Sequence, residues 1–142
     1  MELKIVKTHP DATIPTYATE HSSGLDLYST ESYLIKPQET VKIDIGLRLE
    51  LPIGYEGQIR GRSGLASKGI LAHFGTIDNC FRGNICVILY NSTNTFYEIR
   101  KWDRVGQLII TPILHQIPIK EISLDELTKT ERGENGFGSS GK

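Results

Sequence analysis

The chain has 142 residues, enough for one domain that buries roughly two-thirds of its unfolded surface. Its 16 Lys and Arg stand against 17 Asp and Glu, a balance that excludes a broad electrostatic footprint for nucleic acid or a membrane surface. Met1–Lys7 lacks a leader's apolar stretch and no 18-residue apolar run occurs, so neither a secretory signal nor a membrane span is expected.

Strand periodicity dominates from the first residues. Short strands are predicted over Leu3–Lys7, Leu25–Tyr28 and Tyr33–Ile35. Val41, Ile43, Ile45, Leu47, Leu49 and Leu51 then alternate with polar residues or glycine, the pattern of one half-buried strand with a wet face. After the Pro52-Ile53-Gly54 turn, Tyr55–Arg60 alternates again. Ile85–Tyr90 is apolar throughout and reads as a strand covered on both faces. Phe96–Ile99, Val105–Thr111 and Ile113–Ile119 complete the set, with Gly106 and Gln107 inside the penultimate run. The best helical pattern is the short Ser123–Leu127. Turn signals every eight to twelve residues or so place the chain in the all-β class, as a sandwich or barrel. A domain of this size has little interior for two-faced strands, so a subunit interface is expected along Val105–Ile110.

Near Thr128 the composition changes. Residues 132–142, Arg-Gly-Glu-Asn-Gly-Phe-Gly-Ser-Ser-Gly-Lys, cannot supply a core, a helix or a strand. Their chemistry suits a wrap for a flat, phosphorylated ligand: Arg132 for phosphate, Phe137 for a ring, glycines for close backbone approach. The chain thus divides into a β domain over 1–127 and a flexible lid over 128–142. The P-loop spelling of Gly136–Lys142 is discarded, because that motif needs a following hydroxyl residue and a helix.

Two cysteines, Cys80 and Cys86, lie six residues apart and are expected as reduced thiols, which fits a cytoplasmic setting. The four histidines show no metal-ligand spacing. Asn91-Ser92-Thr93 is a glycosylation sequon in spelling only.

Five segments carry chemistry. Ser23–Leu27 sets Asp26 two residues after a glycine at the start of a strand. Gly61-Arg62-Ser63-Gly64-Leu65-Ala66 ends a strand with a cation and a hydroxyl, then offers glycine before a helical turn, a set of donors suited to phosphate. In Gly75–Gly83, two glycines bracket Asp78 and Phe81, a carboxylate beside an aromatic wall and hence a general-base candidate. Arg104–Leu108 puts the amide of Gln107 into an apolar strand, where it must either brace structure or orient a water or phosphate. The tail is the fifth.

Taken in order, these segments resemble the five motifs of the trimeric dUTP diphosphatases: Ser23–Ser29, Gly61–Ala66, Gly75–Gly83, Asp103–Leu108 and Arg132–Gly141. The resemblance spans Ser22 to Gly141. It implies a distorted, jelly-roll-like barrel assembled as a homotrimer, with an exchanged C-terminal arm and sites at subunit contacts. It implies hydrolysis of dUTP to dUMP and pyrophosphate with Mg2+ on the triphosphate, and so a role in keeping uracil out of DNA and supplying dUMP for thymidylate synthesis. No nucleic-acid or membrane partner is implied. Asp78 would be the base that activates water, and Gln107 would orient that water at the α-phosphate. Arg62, Ser63 and Gly64 would hold phosphates. Gly75, Thr76 and Ile77 would present main-chain groups to uracil, with Phe81 under the sugar. Asp26 would hold the metal through bound water. Arg132, Phe137, Gly138 and Ser139 would close over the nucleotide from another subunit.

The chain departs from the family pattern at several places. Phe81 replaces a usual tyrosine, Cys80 an often acidic residue, Ala72 an asparagine that often touches the base, and Trp102 a turn glycine. Trp102 is expected as a surface or interface packing residue, and Cys80 has no assigned role. Two rival readings are a dCTP deaminase on the same barrel and a non-catalytic barrel that senses nucleotide. The first needs a glutamate proton shuttle that the Gly75–Gly83 hairpin lacks. The second has no use for a base at Asp78.

Overall fold

The computed structural model describes residues 1–115, 117–138 and 141. Eleven strands are formed among them, in four antiparallel sheets that wrap one core. The strands are β1 (Lys4–Lys7), β2 (Leu25–Tyr28), β3 (Tyr33–Ile35), β4 (Thr40–Asp44), β5 (Leu47–Glu50), β6 (Tyr55–Arg60), β7 (Ile70–Ala72), β8 (Gly75–Ile77), β9 (Cys86–Asn91), β10 (Tyr97–Ile99) and β11 (Arg104–Pro112). Two pairs, β1-β5 and β10-β3, flank a three-stranded sheet β4-β9-β7 and a four-stranded sheet β2-β11-β6-β8. The all-β expectation holds. No helix among the described residues is long and apolar enough to cross a membrane.

The alternation over residues 41–51 identifies its core set correctly, since Ile43, Ile45, Leu47, Leu49 and Leu51 are all buried. It does not make one strand. The chain breaks at Gly46, whose φ of +67° favours glycine, and whose N–H donates to Asp44 Oδ1 at 2.7 Å. A Cβ there would lie 2.6 Å from His9 Cβ. This kink hands the chain from β4, paired with β9, to β5, paired with β1. One amphipathic run thus serves two sheets.

Other expectations need correction. Ile85–Tyr90 is not covered on both faces: Val87 and Leu89 are buried, whereas Ile88 is 38% exposed. Along β11, Val105, Gly106 and Leu108 are buried but Ile109 and Ile110 are only partly covered. Beyond Pro112 the predicted last strand is absent from the described residues of 113–119, and Leu114, Ile117 and Ile119 stand out in solvent. Pro118 has no N–H to give to a ladder, and apolar composition alone does not make a strand. The short helical pattern becomes a 3-10 turn, Leu124–Glu126, closed by a capping box between Ser123 and Glu126. β7 is a strand that composition did not announce.

Asn91 accounts for the false sequon. It is fully buried, donates through Nδ2 to the carbonyls of Ile35 (3.1 Å) and Thr95 (2.8 Å), and accepts from Thr93. It is a brace between β3 and the turn after β9, closed to modification. Cys80 and Cys86 are both free thiols.

Candidate active site

The site begins with register. β2 and β6 lie on either side of β11, and Gln107 of β11 pairs with Asp26 on one flank and Arg60 on the other. Two residues past Arg60, Arg62 leads into a single helical turn, α1 (Ser63–Ala66). The three elements therefore deliver Asp26, Arg62, Ser63, Gly64 and Gln107 to one cleft of about 370 Å³, with Gly24 and Arg104 also on its wall.

Asp26 organises the cleft. Its carboxylate is almost buried and pairs with two cations, Arg62 Nε at 3.4 Å and Arg104 Nη1 at 3.3 Å. Arg62 Nη1 also donates to the Arg104 carbonyl at 3.3 Å. One carboxylate between two guanidiniums relieves their mutual repulsion and leaves an excess positive charge facing the opening. That is a field for an anion.

Gln107 performs the first of the two tasks foreseen for a strand amide, bracing structure. Its Nε2 donates to the Gly61 carbonyl at 2.8 Å, tying β11 to the loop that carries Arg62. Its Oε1 remains on the cleft side, in the space that Gly24 leaves by having no side chain. At Gly64 an added Cβ would meet nothing within 4 Å.

The hairpin holding Asp78 is a separate construction. β8 lies against β6, and Ile77 anchors it in the core. Asn79 Nδ2 donates to the Leu51 carbonyl at 2.8 Å, and the N–H of Phe81 donates to the Asp78 carbonyl at 3.0 Å. Arg82 Nη1 donates to the carbonyls of Asn79 (2.7 Å) and Phe81 (2.9 Å). The Phe81 ring covers Gly83, where a Cβ would lie 2.5 Å from Phe81 Cζ. Asp78 itself is exposed and Phe81 is 44% exposed, so a single chain offers the wall but does not yet exclude water.

Cleft and hairpin do not meet within one chain. Ile77 pairs with Gly57, so Asp78 falls opposite Glu56, four residues along β6 from Arg60 and Gln107. At about 3.3 Å per residue, that places them about 13 Å apart along the sheet. The described residues of the tail join neither. Among the described residues its hydrogen bonds are internal, as in Arg132 Nε to the Asn135 carbonyl at 2.9 Å. Phe137 is fully exposed, Gly138 has φ +89°, and Ser139 lies outside the described residues.

The dUTPase family model matches residues 10–141. The chain belongs to the dUTPase family. It is 46% identical to the deoxyuridine 5'-triphosphate nucleotidohydrolase of Nautilia profundicola, over 100% of both chains. To that of Picosynechococcus sp. it is 43% identical, over 99% of each. It is also similar to the solved structure of the Staphylococcus bacteriophage 80alpha dUTPase with dUPNHPP, at a TM-score of 0.89 and 27% identity over 99% of each chain. Those dUTPases share the jelly-roll-like β architecture, so the fold expected from the motifs holds.

The departures from the family pattern now have places. Trp102 adopts φ +67°, as a turn glycine would, and is held there by contacts rather than by freedom. Its indole N–H donates to the Asp11 carbonyl at 3.1 Å, while Lys101 stacks 4.8 Å above its ring and pairs with Asp11. The packing role expected of Trp102 is what the fold gives it. Ala72 ends β7 and faces Gly61, whose added Cβ would sit 3.3 Å from it. Cys80 is exposed on the hairpin.

Arg104 and Gly24, both on the cleft wall, lie outside the site residues expected from the motifs. A cation next to a motif acid was the available signal for Arg104. For Gly24 there was none, since its partner is 83 residues away.

Proposed function

We propose that this chain hydrolyses dUTP to dUMP and pyrophosphate at sites completed between subunits of a homotrimer, with Asp78 as the base. Membership of the dUTPase family supports the reaction. The observation that carries the reading of the site is the Asp26-bridged pair of Arg62 and Arg104 beside Gln107, a preformed anion cleft on the motifs the family shares.

The roles follow from chemistry. Water attacks the α-phosphorus, the bond from that phosphorus to the oxygen bridging to the β-phosphate breaks, and pyrophosphate leaves with the bridging oxygen. Such a displacement needs positioning and charge neutralisation more than covalent catalysis. Asp78 takes the proton of the attacking water, and Gln107 Oε1 orients that water from the cleft side. Arg62, Ser63 and Gly64 hold the phosphates. Main-chain groups of Gly75, Thr76 and Ile77 read the uracil edge, and Phe81 packs beneath the sugar.

The donor set suits magnesium carried on the substrate. Asp26 is the one carboxylate on the cleft wall, and among the described residues no three His, Cys, Asp or Glu side chains cluster as a metal cage. A small hard cation that keeps its waters and takes one carboxylate plus phosphate oxygens matches that supply. Asp26 would hold it through bound water. When bound, it neutralises charge on the departing pyrophosphate.

Assembly follows from the gap between cleft and hairpin. Along the strand direction alone about 13 Å separates the Asp78 end of β8 from Gln107, and β6 lies between their strands, too far for both to serve one phosphorus. A threefold ring, in which each chain lends its hairpin to a neighbour's cleft, closes that gap. The bare apolar side chains of Leu114, Ile117 and Ile119 are surface such an assembly would cover. The tail, fifteen residues from 128 to 142, reaches about 50 Å when extended, ample for a neighbouring subunit. Arg132, Phe137, Gly138 and Ser139 then seal the nucleotide.

Pyrophosphate release, measured side by side on dUTP, dTTP, dCTP and UTP with and without Mg2+, tests the proposal. Turnover is expected on dUTP with magnesium. Formation of dUTP from dCTP, or binding of dUTP without cleavage, would overturn it in favour of the deaminase or the sensor.

A further inference from the structure

Asp78 stands on an arch of chain that belongs to no strand. Ile77 at the end of β8 and Ile85 just before β9 are buried, and the residues between them run over the surface. Both feet of the arch are tied to the barrel by side-chain amides. Asn79 Nδ2 donates to the Leu51 carbonyl at 2.8 Å. Asn84 Nδ2 donates to Asp44 Oδ2 at 2.8 Å, and Asn84 Oδ1 accepts from Arg48 Nε at 2.9 Å.

The crown of the arch is held from within. Arg82 Nη1 carries two N–H bonds and gives them to the carbonyls of Asn79 at 2.7 Å and Phe81 at 2.9 Å, on either side of Cys80. An exposed cation ordinarily pairs with a carboxylate or stays in water. Glu50 lines the same groove as Arg82, yet Glu50 pairs with Lys4, and among the described residues Arg82 forms no ion pair. The charge-assisted bonds of Arg82 go instead to main-chain oxygens, where they fix backbone geometry. The carboxylate of Asp78 makes no hydrogen bond of its own among the described residues, so the backbone of the arch alone decides where it points.

We propose that Arg82 is a positioning residue for the hydrolysis: it clasps the turn that presents Asp78 and so aims that carboxylate at the attacking water. Arg82 touches neither substrate nor water in this role and acts through Asp78. The inference rests on the reading of Asp78 as the base. A proton acceptor has to lie within hydrogen-bond reach of the water, and a misplacement of about an ångström is enough to cost about a hundredfold in rate.

The test is a double-mutant cycle in the full chain, with Arg82→Gln made alone and on top of Asp78→Asn, read by dUTP turnover with Mg2+. Alone, Arg82→Gln should lower kcat about tenfold or more and leave the KM for dUTP within about threefold. In the Asp78→Asn background the same change should move the residual rate by no more than about twofold, because a positioning residue has nothing left to aim. A merely structural role would cost the same factor in both backgrounds, and that result overturns the proposal. An unchanged kcat in the single variant overturns it as well. Arg82→Lys covers the case in which the glutamine variant does not fold: a smaller loss that vanishes beside Asp78→Asn supports the role, and a loss that persists there refutes it. Wild-type turnover in Asp78→Asn alone would instead strike the reading of Asp78 as the base, a separate outcome.

Discussion

A methyl group placed on Gly24 would lie 2.5 Å from Oε1 of Gln107 and 3.1 Å from its Cβ. The nearest obstacle is the far end of a flexible side chain, so the fold can accommodate the change by moving Gln107, with some pressure on Ile109. The same movement pulls Nε2 from the Gly61 carbonyl and displaces Oε1 from the cleft.

Gly24→Ala should therefore cost more in catalysis than in stability. We expect a loss of about 1–2 kcal/mol in denaturant unfolding, in the range of a modest overpacking. Turnover of dUTP should fall by about tenfold or more, because misplacing an orienting group by even about an ångström is expensive. Unchanged kcat with an intact fold would show that Gln107 braces structure and does nothing else.

Asp78 sits on a hairpin whose hydrogen bonds among the described residues run through Asn79, Phe81 and Arg82, none through its own carboxylate. Asp78→Asn should leave that hairpin and the phosphate cleft as they are. Binding of dUTP by calorimetry should persist, while pyrophosphate release drops by about 10²–10⁴, the usual worth of a general base. Near-normal release would remove Asp78 from that role.

The described part of the tail bonds only to itself, and Phe137 touches nothing that shields it. Truncation before Arg132 should thus leave the thermal unfolding midpoint and the oligomeric mass of the chain unchanged, with turnover collapsing. Phe137→Ala should reproduce part of that loss, since stacking on a base is worth about 1–3 kcal/mol. A truncated chain that fails to assemble would show that the segment is structural and not a lid.

Burial and the neighbouring Asp44 carboxylate push the Cys86 thiol above its ordinary value of 9.0. A thiol with a raised folded value binds its proton longer folded than unfolded. The stability it confers is full below the unfolded value and is lost as pH rises through the folded one. Burial, with Glu31 and Asp44, shifts the Tyr33 phenol upward in the same sense. Unfolding free energy should accordingly decline through the alkaline range above about pH 9, and Cys86→Ala should flatten the first part of that decline. An identical slope in the variant would exclude Cys86 as a contributor.

The strand alternation was legible because it records which side chains leave water, and burial at Ile43, Ile45, Leu47, Leu49 and Leu51 obeys it across a broken backbone. The break at Gly46 was not legible, since its cause is the packing of His9 and Ala12, which no local pattern encodes. Ile113–Ile119 reads as a strand by composition, and its described residues form none. Trp102 departed from the turn glycine of the family pattern, and only the contacts with Asp11 and Lys101 explain how a tryptophan holds φ +67°.

By itself, the order of residues determined the all-β class and the five segments by which the chain resembles its family, because those depend on residue type and near-neighbour spacing. Tertiary structure decided what each segment does to the others. It joined Asp26 to Arg62 and Arg104, set Gln107 against Gly24, and put Asp78 at the far end of β6 from all of them. Those relations arise from strand register between residues far apart in the chain, and register is settled by the packing of the whole core.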